Sequence, residues 1–201
     1  REGARPAGAR RRRLSDSAPF KLLATRTASD AAPLRNFAFA VAVDGDTIVS
    51  GAAGCDPPLD GQAHCPIVCG SVYVLRASDG EELFKLTAAD GAAGNFFGES
   101  LAIDGGTVVV GARGDNNVTG AVYVFRASDG AQLAKLTASD GAAGDHFGHA
   151  VAIDGDTVVV GARGVDTQTG AAYVFRTTDG WDTFVEVDKL TASDGSYEDL
   201  F

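Results

Sequence analysis

Polar and apolar positions alternate along this chain in short blocks, not at helical spacing. In residues 147–163 the order is Phe147-Gly148-His149-Ala150-Val151-Ala152-Ile153, then Asp154-Gly155-Asp156, then Thr157-Val158-Val159-Val160-Gly161-Ala162-Arg163. Blocks rich in Val, Ile and Thr and bounded by Asp-Gly are the signature of strands joined by tight turns. Asp154-Gly155 between two such blocks predicts a hairpin, because its turn residues take positive φ. Val158-Val159-Val160-Gly161-Ala162 does not alternate. It predicts a strand covered on both faces, with small residues where another backbone approaches. The full stretch predicts four strands, at 149–153, 157–162, 171–176 and 184–190, the last carrying Val185, Val187 and Leu190.

The pattern recurs. Fifty residues earlier stands Phe97-Gly98-Glu99-Ser100-Leu101-Ala102-Ile103-Asp104-Gly105-Gly106, running on to Gly111-Ala112-Arg113. Sixty residues before that stands Phe37-Ala38-Phe39-Ala40-Val41-Ala42-Val43-Asp44-Gly45-Asp46, running on to Gly51-Ala52. Lys85-Leu86-Thr87, Lys135-Leu136-Thr137 and Lys189-Leu190-Thr191 match one another, and the units close on Asp90-Gly91, Asp140-Gly141 and Asp194-Gly195. Three units follow, 37–96, 97–146 and 147–200, within a region 21–201. Thr27-Ala28-Ser29-Asp30 reads as the close of an earlier unit, and Phe201 stands where another would open. The expectation is a fragment of a longer array.

Four antiparallel strands in about fifty residues is the size of one propeller blade. A blade buries its faces only by stacking on neighbours, which is why units recur. The expected fold class is all-β: three four-stranded antiparallel blades of a larger propeller. Three blades do not close a ring of four to eight, so both flanks are expected to expose apolar faces and to favour association.

Charge divides the chain. Residues 1–20 hold six of the 17 basic residues and two of the 27 acidic ones, so the remainder carries 11 basic against 25 acidic side chains. An acidic body excludes nucleic acid as the expected partner. The basic head, with Arg at residues 10–13, reads as a disordered leader or linker and has no apolar signal-peptide core. No run of 18 apolar residues is present, so no membrane-inserted helix is expected in this segment.

At the repeated residues the chain resembles the FG-GAP repeat family, best known from the head of integrin α subunits. The motif's halves stand as Phe97-Gly98 with Gly111-Ala112-Arg113, and as Phe147-Gly148 with Gly161-Ala162-Arg163. The first unit departs, with Phe37-Ala38 and Gly51-Ala52-Ala53, and the motif's Pro is replaced in all three. The likeness covers roughly 27–201. It implies a β-propeller, commonly of seven blades, completed by further blades of the same chain.

Integrin blades of this kind often carry a calcium loop, which needs six to eight oxygens. Here its place is taken by Asp44-Gly45-Asp46, Asp104-Gly105-Gly106 and Asp154-Gly155-Asp156. Two carboxylates directly before a β-branched block do not wrap an ion, so the reading is a hairpin turn and no cofactor. Residues 140–145 and 194–199 read as solvated turns, with weak calcium binding the residual expectation.

Arg113-Gly114-Asp115 spells the integrin-ligand tripeptide, but the third unit's Arg163-Gly164-Val165-Asp166 shows that the repeat itself generates it. Asn117-Val118-Thr119 is a glycosylation sequon. Cys55, Cys65 and Cys69 all lie in the 10-residue insertion of the first unit, where Cys55 with either Cys69 or Cys65 would close a stapled loop. A zinc site of His64 with the three cysteines fits no standard spacing. His146 and His149 flank Phe147-Gly148 where the second unit has Phe96 and Glu99, so they read as variable surface positions. Trp181 lies in a four-residue extension of the third unit, either anchoring its hairpin or stacking on a sugar.

No Gly-x-Ser-x-Gly, phosphate-loop or His-Glu-x-x-His motif is present. The expectation is a non-catalytic extracellular or cell-surface propeller that presents loops to a protein or glycan. The contact residues would be 54–70, residues 113–119 (Arg113, Gly114 and Asp115 among them) and Trp181. The alternative is an accessory propeller of a larger secreted hydrolase whose catalytic part lies outside this segment.

Overall fold

The structure, a computed structural model, describes residues 25, 27–30, 36–55, 69–180 and 183–193. Within them lie three four-stranded antiparallel sheets. The first holds β1 (Phe37–Asp44), β2 (Thr47–Cys55), β3 (Cys69–Arg76) and β4 (Glu82–Leu86). The second holds β5 (Leu101–Asp104), β6 (Thr107–Ala112), β7 (Ala121–Arg126) and β8 (Gln132–Leu136). The third holds β9 (Phe147–Asp154), β10 (Thr157–Ala162), β11 (Ala171–Thr177) and β12 (Phe184–Leu190). Two four-residue segments, α1 (Asp115–Val118) and α2 (Val165–Gln168), lie between the second and third strands of the last two sheets, and in α1 Asn116 and Asn117 take left-handed rather than helical dihedrals. In each sheet spatial order follows chain order.

The strands predicted for the third unit are present, the first of them opening at Phe147. The hairpin turns differ by one residue. Asp44, Asp104 and Asp154 pair with Thr47, Thr107 and Thr157, so the turns are Gly45-Asp46, Gly105-Gly106 and Gly155-Asp156. Glycine, not aspartate, takes the first turn position, at φ +55°, +54° and +51°. A Cβ-free residue adopts that left-handed conformation without steric cost.

Of the central strands, β6 is buried along its whole length, as its unbroken apolar run requires. At the end of the stack β10 alternates buried with half-buried residues, so the expectation of cover on both faces is not met at Val159 and Gly161. One core joins Val72, Val74 and Leu86 of the first sheet to Phe97, Val108 and Val110 of the second. A second core joins Val109, Val124 and Leu136 to Phe147, Val158 and Val160. Alternate residues of β6 thus face opposite neighbours, as a two-residue period dictates. The first strands β1, β5 and β9 contact one another in succession, as blades fanned about an axis do.

Position in the stack decides exposure. Leu101 and Ile103 pack against the core shared with the first sheet, and Val151 and Ile153 against the core shared with the second. Their first-unit equivalents, Val41 and Val43, are each 64% exposed. At the other flank Leu86 and Leu136 are buried, while Leu190 is 45% exposed.

Candidate functional site

Strand direction alternates, so connections fall at two ends of the sheets. One end carries the tight β1–β2 type turns and the third-to-fourth strand turns. The other carries the second-to-third strand connections (56–68, 113–120 and 163–170) together with the passage from each sheet to the next. The second-to-third strand connections, which differ between units, lie at this second end; the lengthened third-to-fourth strand connection of the third unit lies at the first.

The repeated Phe and Gly build the sheet-to-sheet joint there. Phe97 meets Tyr123 and Phe125 edge-on at 5.6 and 5.8 Å, and Phe147 meets Tyr173 and Phe175 at 5.4 and 5.9 Å. Edge-to-face ring pairs of this kind contribute beyond their buried area. The Gly98 carbonyl presses on Gly51, and the Gly148 carbonyl on Gly111; a Cβ at either glycine would lie 2.0 or 2.1 Å from that oxygen. The Phe-Gly of one unit therefore docks on the Gly-Ala of the unit before it.

A polar latch recurs beside each joint. The Tyr123 hydroxyl donates to Asp90 Oδ1 at 2.7 Å, and Lys135 Nζ meets Asp90 Oδ2 at 2.5 Å. The Tyr173 hydroxyl donates to Asp140 at 2.8 Å, and Lys189 meets Asp140 at 2.6 Å. In the first unit Tyr73 and Lys85 hold Asp30, both at 2.5 Å. The closing acids Asp30, Asp90 and Asp140 are thus fasteners onto the next sheet, a role that the reading of 140–145 as a solvated turn does not contain; Asp194 lies outside the described residues. The Lys ammonium also stands over its tyrosine ring, 5.1 Å from the Tyr123 centroid and 5.3 Å from that of Tyr173.

The charges settle accordingly. The Lys135 bond first, and the Tyr123 bond second, hold the Asp90 carboxyl below the usual carboxylate range. Lys189 and then Tyr173 do the same to Asp140. Burial, then the bond to Asp140, pushes the Tyr173 phenol up to about 12. Burial opposes the Lys135 charge, but its bonds to Asp115 and Asp90 outweigh that and hold the ammonium above its ordinary range.

At the second sheet the latch is enlarged. Asp115 is 7% exposed, accepts from Asn95 Nδ2 at 2.8 Å and pairs with Lys135 at 2.6 Å. Asp90, Asp115, Asn116 and Lys135 line a cavity of about 470 Å³. The third unit places buried Val165 where the second has Asp115. Sequence reading missed this buried acid; the only signal was an Asp aligned with a Val.

These contacts also decide what the Arg-Gly-Asp tripeptide presents. Arg113 Nε donates to Glu99 at 2.6 Å, and its guanidinium lies 4.4 Å from the Phe96 ring centroid. A Cβ at Gly114 would stand 1.9 Å from the Gly94 carbonyl oxygen. Asp115 is buried, while Arg113 and Gly114 are half-buried, so each of the three has contacts within the fold. Of the loop 113–119, Asn116 and Asn117 are the exposed members. The sequon asparagine is therefore at the surface.

The hairpin acids have partners of their own. Asp46 accepts from the Ser78 amide and hydroxyl at 2.7 and 2.9 Å, and Asp104 from the Gly155 amide of the next sheet at 2.8 Å. Asp156 accepts from the Thr157 hydroxyl at 2.8 Å. Asp145 is buried and accepts from the Ala142 amide at 2.7 Å. Among the described residues, no three His, Cys, Asp or Glu gather as a metal site requires.

His146 is half-buried and His149 exposed. Burial first, then Arg163 and Arg113, lowers the pKa of both. Cys55 and Cys69 fall at the strand ends flanking the insertion. His64, Cys65 and Trp181 lie outside the described residues, so the zinc and sugar-stacking expectations do too, as do 194–199 and the leader 1–20.

No described helix is long and apolar enough to cross a membrane. No curated protein matches the chain. Residues 22–75, 80–125 and 128–175 each match the FG-GAP repeat. Each matched segment spans the closing Asp of one unit and the tyrosine strand of the next sheet, so it contains a complete Asp–Tyr latch: Asp30 with Tyr73, Asp90 with Tyr123, Asp140 with Tyr173. With most of its length so matched, the chain belongs to the FG-GAP repeat family.

Proposed function

We propose that this chain is part of an extracellular or cell-surface β-propeller that performs no chemistry and presents the loop-bearing end of its sheets to a protein or glycan ligand. One observation carries the reading. Strands, ring pairs and latches repeat from unit to unit, while the connections between second and third strands do not: 56–68, 113–120 and 163–170 differ in length or sequence. A rigid scaffold with divergent loops at one end is the arrangement by which repeat proteins bind. FG-GAP domains serve generally as protein-interaction modules, which favours a protein ligand. The Tyr, Lys and Asp groups of the latches are matched to one another, which supports a structural role for them over a catalytic one.

The test replaces residues 56–68, in the full chain, with the short connection 163–170 of the third unit. Binding of labelled protein to intact cells is then compared with that of the parent chain. Loss of binding with an unchanged melting temperature supports the proposal. Full retention, repeated when residues 115–119 are also exchanged for their third-unit counterparts, overturns it.

A further inference from the structure

We infer that Cys55 and Cys69 form a disulfide across the neck of the first unit's insertion, leaving Cys65 as the odd thiol. The backbone register makes the choice that spacing leaves open. β2 and β3 pair from Thr47 opposite Arg76 to Ala52 opposite Ser71, and the register then shifts by one residue. Beyond the shift Cys55 lies directly opposite Cys69. Without it, residue 55 would face Val68. The irregularity therefore aligns the two cysteines.

Directly opposed antiparallel residues have Cα atoms about 4.5 or 5.5 Å apart, and a disulfide spans about 4.4–6.8 Å. The pair occupies the last residue of β2 and the first of β3. A bond there ties the ends of the 13 residues 56–68 to the sheet without changing those residues themselves. A zinc site would need both cysteines as separate thiolates.

The bond forms by exchange with a disulfide oxidant such as oxidised glutathione. One protein thiol displaces a glutathione thiol to give a mixed disulfide. The second protein thiolate attacks the protein sulfur and releases the other glutathione, so both thiol hydrogens end on glutathione. The pairing follows from register and is read in a purified chain under a stated oxidant, so its test is separate from that of the binding role.

The full chain is oxidised with glutathione disulfide, and free thiols are capped with iodoacetamide in denaturant without reduction. Asp-N then cuts before Asp56, and thermolysin before Ile67 or Val68, which separates the three cysteines. The expected result is a Cys55–Cys69 linked peptide that collapses on reduction, with Cys65 not joined to either. In the Cys65→Ser variant the same oxidation leaves no reactive thiol. A link from Cys65 to Cys55 or Cys69, or capping of both Cys55 and Cys69, overturns the proposal. So do two reactive thiols in Cys65→Ser.

Discussion

Asp90, the closing acid of the first repeat, accepts the Tyr123 hydroxyl hydrogen at 2.7 Å from within the second sheet. The two residues are 33 positions apart, and the same separation joins Asp140 to Tyr173. A bond between blades is what makes neighbouring repeats cooperate, because stability in such arrays is a sum of unit and interface contributions. Tyr123→Phe keeps the ring against Phe97 and removes only the donor. The expected cost is about 1 kcal/mol, or about 2–4 °C in melting temperature for a chain of this length. A double-mutant cycle with Asp90→Asn is expected to return a coupling of about the same size. Strict additivity of the two changes would show that the latch contributes nothing.

The latch also sets the response to pH. Asp90 and Asp140 have depressed folded pKa values, held there by Lys135 and Lys189 and then by the tyrosines. Their contribution is present above the unfolded value of about 3.9 and is lost as pH falls through the lower folded value. Tyr173, raised to about 12, acts in the opposite sense: its contribution is intact below about pH 10 and lost as pH rises through 12. His146 and His149 are lowered from 6.5, so protonation favours the unfolded chain and stability declines below that pH. Melting temperatures from pH 3 to 12 are expected to show a plateau at about pH 7–9, a shallow acid decline and a steeper loss below about pH 4. His146→Phe with His149→Glu, the second unit's residues, removes the shallow limb. Tyr173→Phe reduces the alkaline one.

Gly111 and Gly161 hold the same place in successive units but meet different surroundings. A Cβ at Gly111 would lie 2.1 Å from the Gly148 carbonyl oxygen, whereas at Gly161 the nearest atom is the Ala150 Cβ at 3.4 Å. Gly111→Ala is therefore expected to force the second and third sheets apart and to cost about 3 kcal/mol. Gly161→Ala is expected to be neutral or to stabilise by about 0.5 kcal/mol, by restricting the unfolded chain. Equal effects in urea denaturation would mean that the close approach does not hold the sheets together.

Strands, units and the fold family were legible in the sequence because their signals are local. A Val-Val-Val-Gly-Ala block or an Asp-Gly turn declares itself within a few residues. The turn was misplaced by one residue because Asp154 pairs with Thr157 and leaves Gly155 to take the positive φ, a register choice that the dipeptide does not encode. The latches were not legible. Asp90 looks like punctuation until Tyr123 and Lys135 are brought to it from another sheet, and only the joint recurrence of Asp, Tyr and Lys hints at it. Arg113-Gly114-Asp115 shows the converse. The tripeptide is readable at once, but burial of Asp115 against Asn95 and Lys135 depends on contacts remote in sequence.

Ser50 occupies a core position that the other units fill with Val110 and Val160, and its Oγ is buried with no hydrogen-bond partner. A hydroxyl removed from water without a partner costs about 1–3 kcal/mol. Ser50→Val is expected to stabilise the chain by about 1 kcal/mol, and Val110→Ser to destabilise it by about 2 kcal/mol. A calorimetric comparison in which Ser50→Val lowers the melting temperature would point instead to a polar contact that the hydroxyl satisfies.

The final prediction concerns the two flanks. Phe39, Val41 and Val43 line one outer face, and Val185, Val187 and Leu190 the other. Equivalent residues inside the stack show how such faces mate: Leu86 and Leu83 pack with the second sheet, and Leu136 and Leu133 with the third. The exposed faces are thus the two halves of the same joint, and a contact between them on different molecules is head-to-tail rather than a two-fold pairing of one face with itself. Sedimentation velocity of the 201-residue chain is expected to show association that grows with concentration. Val41→Lys with Val43→Glu places charges at positions already exposed, so it is expected to leave the melting temperature nearly unchanged and to shift the distribution to monomer. Val187→Lys should do the same from the opposite face. A parent chain that sediments as a single monomer at every concentration would show that these faces do not seek each other.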